Sequence, residues 1–346
     1  MIDKKLAKNL HTIILNEYEN TEGIVILKAG EIVFEEYFGN TNRKSKLHIA
    51  SVTKSILSAL IGIAVEKGYI KSTEETVMKY FPEYNFISPN GVRENVTIQN
   101  LLTMTAPYSF DDWNEPLEAL CTSPDWIKFS LQEMGQNGEI GTFKYSTAGA
   151  HLLSAILTRV AGKSTREFAN EFLFTQIGID RINEYPMSSY GYDDLFGKKV
   201  KGWVHDPNNI TTGGWGLTLT VREMARFGQL YLNNGFWNGK QIVPPEWIAQ
   251  SIKPNLNHYG YMWWQFEKKG VAVHAAMGDG GNMICWVPDR NLVVAMTSGF
   301  APDAKNRWLL VRDYILPAVE EIRVGDGPYD NQGRIYLLPG AGPGYD

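Results

Sequence analysis

Ser51-Val52-Thr53-Lys54-Ser55-Ile56-Leu57-Ser58-Ala59-Leu60-Ile61-Gly62-Ile63-Ala64-Val65 carries both a fold signal and a chemical one. Beyond Lys54 the run is apolar on nearly every face, which predicts a central, buried helix ending at Gly68. Ser51 and Lys54 stand three apart at its start, so they share a face about one turn apart. A serine hydroxyl is a poor nucleophile until a neighbour takes its proton. A lysine does so when burial lowers its pKa, because desolvation disfavours the ammonium. The helix N-terminus adds free N–H groups and partial positive charge where an oxyanion would develop. The bland alternative is a capping serine followed by a surface lysine. This is the only Ser-x-x-Lys in the chain, but the spacing arises by chance about once in a few hundred residues, so context has to decide.

Outward from that helix, the N-terminal side reads as a helix over Lys4–Tyr18, with Leu6, Leu10, Ile13, Ile14 and Tyr18 at helical spacing. A hairpin follows, Gly23–Lys28 and Glu31–Phe38, joined through Ala29-Gly30. On the C-terminal side, helical patterns cover Ala148–Val160 and Thr165–Leu173. Another runs from Thr220 to Leu232 before Asn233-Asn234-Gly235, and Pro244-Pro245-Glu246 opens one more. Strand-like runs then appear at Tyr259–Phe266, Val271–Ala276, Met283–Val287 and Leu292–Thr297, before a closing helix near Lys305–Ile322 and a Pro/Gly-rich tail read as an extended arm. Strands at both termini around a helical insert predict an α+β fold with an antiparallel sheet built from both chain ends. The division expected is residues 1–50 and 215–346 for the sheet part and 51–214 for a mostly helical lobe.

The chain has 346 residues, a net charge of −5 and a hydrophobic fraction of 44%. That is ordinary for a globular protein with a sizeable core. The acidic balance lacks the electrostatic footprint of a nucleic-acid binder. No uncharged apolar stretch reaches the ~18 residues of a membrane span, and the first twenty residues lack a signal-peptide pattern, so the expectation is a cytoplasmic protein without membrane or nucleic-acid partners. Two cysteines, Cys121 and Cys285, allow at most one bridge. The six histidines show no ligand spacing, and P-loop, Gly-x-Ser-x-Gly and His-Glu-x-x-His patterns are absent, so neither metal nor organic cofactor is expected.

Two further segments hold candidate chemistry. Gly141-Thr142-Phe143-Lys144-Tyr145-Ser146-Thr147 precedes an apolar helix. Tyr145 there relays a proton if a nearby ammonium holds its phenolate character, or is a half-buried aromatic beside a capping Ser146 or Thr147. Ala276-Met277-Gly278-Asp279-Gly280-Gly281-Asn282 lies between two strand-like runs. It is either a hairpin turn or a strand end where a ligand approaches backbone N–H groups.

Taken in order, these three features resemble the serine β-lactamase and penicillin-binding-protein superfamily, closest to its class C β-lactamase-like and esterase branch. LLTMTAP, GGWGLTLTVREMARFGQLYLNNG, GKQIVPPEW and GDGGNMICWVPDRNLVVAMTS add to the likeness, which spans about Gly23 to Ser298. The resemblance implies a β-lactamase/transpeptidase-like fold and a serine hydrolase working through an acyl-enzyme on a small ester, amide or peptide. It assigns Ser51 as nucleophile, Lys54 as general base and Tyr145 as proton shuttle. Backbone N–H groups of Ser51 and Asp279 (Gly278 if the register slips by one) fall in the oxyanion hole, with Thr147, Gly278 and Gly280 as substrate contacts. Thr147 stands where β-lactamases often have Asn, and Ala276-Met277-Gly278 replaces a Lys/His-Thr-Gly triplet. The latter loses a cation worth ~1.5–3 kcal/mol toward a substrate carboxylate. The expectation is therefore an esterase, amide hydrolase or D-peptidase. A true β-lactamase or D,D-carboxypeptidase, and a non-catalytic binding protein, are the alternatives. Asp111, Asp112, Trp113 and Trp215 fall near the cleft mouth by position only, and oligomeric state is left open.

Overall fold

A computed structural model describes residues 4–320, apart from 87–90, 111–114, 137, 188–198, 254 and 256. Its centre is a six-stranded antiparallel sheet made from both ends of the chain. Helix α1 (Lys4–Glu17) leads into β1 (Thr21–Lys28) and β2 (Glu31–Tyr37). Ala29 and Gly30, at φ 53° and 80°, make the tight turn between them. This is the left-handed pair that a two-residue hairpin of type I′ requires. Helix α2 (Val52–Glu66), α3 (Thr147–Ala161) and α4 (Val221–Leu232) follow. The remaining strands are β3 (Trp264–Lys268), β4 (Val271–Gly278), β5 (Asn282–Val287) and β6 (Leu292–Ser298).

The spatial order β2-β1-β6-β5-β4-β3 puts the N-terminal hairpin against the last strand, with Gly23 opposite Thr297. Alternation along each strand sorts the core into two layers. Ile24, Ile26, Met283, Cys285, Val294 and Met296 face α1 and the helical turns after Arg307. Val25, Leu27, Ile284, Trp286, Val293 and Ala295 face α2, α4 and the helical region. Helix α2 lies in that second layer, and every residue from Val52 to Ala64 is buried, which is why its sequence is apolar all round.

Three sequence expectations change. The run Tyr259–Phe266 becomes strand only from Trp264; before it His258 and Met262 adopt φ 53° and 60°, so the chain turns while its aromatics stay buried. An apolar run satisfies a buried turn as well as a strand. The closing helix is one α-turn, Arg307–Leu310, a wider π stretch, Val311–Ile315, and a last turn, Leu316–Glu320. The segment after Thr165 is likewise an α-turn, Thr165–Ala169, that opens into a π stretch, Asn170–Phe174. The extended arm expected at the C-terminus lies outside the described residues. Cys121 and Cys285 are both free and buried. Among the described residues no helix is long and apolar enough to cross a membrane.

Candidate active site

Ser51 stands at the N-cap of α2, yet its side chain makes no capping hydrogen bond. Its hydroxyl instead accepts from the Lys54 ammonium, with Nζ 3.0 Å from Oγ. The preceding Ala50 has φ 46°, a left-handed conformation uncommon for a residue with a side chain. Lys54 is 1% exposed. It also donates to the Gly214 carbonyl at 2.9 Å and to the Thr147 hydroxyl at 3.3 Å, and lies 4.8 Å from the centre of the Tyr145 ring. Burial lowers its pKa from 10.5 to about 8, against the opposing pull of the Glu115 and Asp279 charges. The surface-lysine alternative is gone, because this ammonium has no access to bulk water.

Tyr145 precedes α3 and forms a hydrogen bond with Ser51 that acts to lower its pKa. Burial outweighs that pull and raises the phenol above its usual range. The ammonium therefore does not hold phenolate character here, and the resting group is a neutral phenol. Its ring stacks on Trp264 at 6.0 Å, with Tyr259 edge-on at 6.1 Å. Ser146 caps α3 by accepting from the Gly149 N–H at 2.9 Å, so the capping and chemical interpretations of this segment hold together on neighbouring residues.

The glycine segment is a hairpin turn, and it is also pressed against Ser51. Gly278 ends β4 opposite Asn282, and Asp279–Gly281 turns between them. A Cβ built on Gly278 would lie 2.6 Å from the Ile49 oxygen and 2.9 Å from the Ser51 nitrogen. No side chain fits there, so the backbones meet only because this residue is glycine. Ala50, Ser51, Thr147 and Asp279 line one recess together with Leu117, Cys121 and Trp215. Gly280 does not line that recess: it is buried, and a Cβ there would meet Gly299 O at 2.6 Å and Phe300 Cα at 2.9 Å. Trp215 is 6% exposed and packs 6.0 Å from Trp126, so it is a core aromatic with an edge on the recess. Asp111, Asp112 and Trp113 lie outside the described residues.

The family described as Beta-lactamase matches residues 21–315, a span holding all of these groups. The chain belongs to the beta-lactamase family. Among curated relatives, the 6-aminohexanoate-dimer hydrolase of Paenarthrobacter ureafaciens is 20% identical over 83% of this chain and 74% of its own length. Among solved structures, the octameric penicillin-binding protein homologue from Pyrococcus abyssi superposes with a TM-score of 0.68 at 20% identity, covering 90% of this chain and 77% of that one. EstCE1, a hydrolase with promiscuous acyltransferase activity, gives 0.67 at 16% identity over 91% and 97%. At these identities the two structures establish the beta-lactamase/transpeptidase-like fold.

One polar residue at the site escaped the sequence motifs. Glu115 is partly buried as a residue, and its carboxylate is tucked against the start of α3. One oxygen accepts from the Thr147 N–H and the other from the Ala148 N–H, both at 2.6 Å. Burial raises its pKa, while those two N–H groups and the Lys54 charge pull it back. Glu115 thus satisfies helix-end donors beside the two residues that flank Ser51. The only cue in sequence is a carboxylate 32 residues before its partner, in a loop.

Proposed function

We propose that this chain is a serine hydrolase that cleaves an ester or amide through an acyl-enzyme on Ser51. The observation that carries the reading is the 3.0 Å contact between Ser51 Oγ and a buried Lys54 whose pKa falls to about 8. Roughly a tenth of such lysines are neutral at pH 7, enough to serve as a base. In that form Lys54 takes the Ser51 proton as Oγ attacks the carbonyl carbon. The backbone N–H groups of Ser51 and Asp279, brought together by the close approach of Gly278, hold the developing oxyanion. The neutral Tyr145 phenol, hydrogen-bonded to Ser51, passes a proton to the leaving oxygen or nitrogen and is replenished from Lys54. Water then enters by the reverse relay and frees the acyl group.

The recess favours a small, uncharged acyl group. Its walls are Leu117, Cys121 and Trp215, and Asp279 places a negative charge at its rim. Such a rim repels the carboxylate that a β-lactam or a D-Ala-D-Ala peptide would bring. The hydrolase activity named for the 6-aminohexanoate-dimer relative supports the same broad class without fixing a substrate.

Short-chain p-nitrophenyl esters combined with intact mass after a fluorophosphonate probe test the reading. Wild type is expected to turn over the ester and gain one adduct on Ser51, and Ser51→Ala to do neither. A wild type that takes no label on Ser51, or a Ser51→Ala that keeps the rate, overturns it. Nitrocefin hydrolysis as fast as the ester would move the assignment to a β-lactamase.

A further inference from the structure

The turn that carries Asp279 is gripped from behind by three side chains, one of which, Asn20, lies outside every sequence motif. Its three carbonyls each meet a side-chain donor. The Asn282 amide donates to Asp279 O at 2.9 Å, the Asn20 amide to Gly280 O at 2.6 Å and the Ser298 hydroxyl to Gly281 O at 3.3 Å. Three successive fixed carbonyls leave the peptide planes next to the Asp279 N–H little freedom to rotate.

Asn20 is the member that comes from farthest away. It stands between α1 and β1, and its side-chain amide also donates to Gly299 O at 2.7 Å while its backbone carbonyl accepts from the Gly299 N–H at 2.9 Å. Its Oδ1 accepts from Arg307 at 2.5 Å. With a guanidinium on the oxygen, both amide hydrogens are committed to the two carbonyls, so the side chain has one workable orientation.

Arg307 is 1% exposed. It further donates to Ser298 Oγ at 3.2 Å and Lys305 O at 2.8 Å, and its guanidinium lies 5.0 Å from the centre of the Tyr18 ring. A Cβ on Gly281 would come 2.7 Å from its Cζ. Burial brings its pKa to about 10, which still leaves it charged at neutral pH. Among the described residues no carboxylate pairs with it. A buried cation without a carboxylate is costly, and this one sits directly behind the turn whose other side faces Ser51.

We propose that Asn20 and Arg307 are positioning residues for acylation: a buried brace that fixes the Asp279–Gly281 turn and places a positive charge behind the oxyanion. This rests on the assignment of Ser51 and Asp279 given above. The brace acts on the tetrahedral species and leaves binding of the flat carbonyl substrate nearly unchanged.

The test compares wild type with Asn20→Ala and Asn20→Asp. The readouts are burst-phase acylation by a p-nitrophenyl ester, KM, inhibition by a boronic acid (a tetrahedral adduct of Ser51) and the melting temperature. Asn20→Asp keeps an acceptor for Arg307, which holds the side chain in place, but it has no hydrogen to give Gly280 O or Gly299 O. Both variants are expected to lose about 10–100-fold in acylation and in boronate affinity, with KM within about twofold. Asn20→Asp is expected to melt lower, since Gly280 O and Gly299 O lose their donor, with the new pairing to Arg307 offsetting part of that. Lost acylation and boronate affinity with KM unchanged, measured well below that melt, is what a merely structural role would not give. A folded Asn20→Asp with wild-type acylation and boronate affinity overturns the brace. A wild type unlabelled by fluorophosphonate overturns the parent assignment instead, so the two failures are told apart.

Discussion

Replacing Gly278 by alanine isolates the close approach on which the proposed oxyanion geometry depends. Gly278 has φ −140° and ψ 154°, ordinary extended backbone, so alanine introduces no conformational strain. The methyl group itself is the perturbation. It would lie 2.6 Å from the Ile49 oxygen, about 0.8 Å short of the 3.4 Å at which such contacts become ordinary. The Ile49–Ser51 segment has little room to give, since Ala50 is already left-handed and Val52 is fully buried in α2. The end of β4 therefore moves away, and the separation of the Ser51 and Asp279 N–H groups grows by most of that 0.8 Å. Loss of one oxyanion donor costs ~10²–10³-fold in kcat, and a misplacement near 1 Å ~10²-fold. The expected result for Gly278→Ala is thus a kcat about 10²-fold lower on a p-nitrophenyl ester, with KM within about threefold. Stability changes less, because the ~0.4–1 kcal/mol gained by restricting the unfolded chain offsets part of ~1–3 kcal/mol of overpacking. A folded Gly278→Ala with kcat within about threefold of wild type would refute the argument that these N–H groups act on the transition state.

Lys54→Met is expected to cut turnover by about 10²–10⁴-fold while melting no lower at pH 7. The reason is linkage: the folded pKa of about 8 lies below the unfolded 10.5, so wild type should gain stability relative to the variant only as pH rises from about 8 to 10.5, followed by urea unfolding. His48 and His274 are both buried and depressed from 6.5 to about 4. Their contribution is present above pH 6.5 and lost as pH falls to about 4, up to about 3 kcal/mol each; His274→Phe should remove one share of that acid slope in melts across this range. Glu115→Gln leaves one of the Thr147 and Ala148 N–H groups facing an amide nitrogen, costing about 1–3 kcal/mol in urea unfolding. It also removes a charge that favours the Lys54 ammonium, so the acid limb of kcat/KM should shift to lower pH.

What sequence made legible were the features that act over a turn or less. The Ala29-Gly30 hairpin, the stop of α4 at Asn233-Asn234-Gly235, and the Ser51–Lys54 pair each follow from local geometry. Placing both chain ends in one sheet came from the element pattern, and the pairing of β1 with β6 agrees. The strand–turn distinction at Tyr259–Trp263 was hidden because burial and not pairing demands those aromatics. Glu115 and Asn20 were hidden for another reason. Their partners lie 32 and 260 residues away, and an isolated Glu or Asn in a loop looks like any solvated polar residue.

The same contrast explains why the Ser-x-x-Lys spacing was undecidable by itself. Four residues fix only that two side chains share a helix face. Whether the lysine is an inert ammonium or a base depends on what surrounds the helix, and here α2 is enclosed along its whole first half. Sealing the ammonium brings its pKa to about 8, and the two nearby carboxylates stop it falling further. Without those charges its pKa would fall lower still, making it a weaker base toward Ser51. With less burial it would stay protonated and leave Ser51 unactivated. On the proposed mechanism the useful state lies between the two: burial drives the shift, and Glu115 from one loop and Asp279 from another, neither part of the Ser-x-x-Lys motif, limit it.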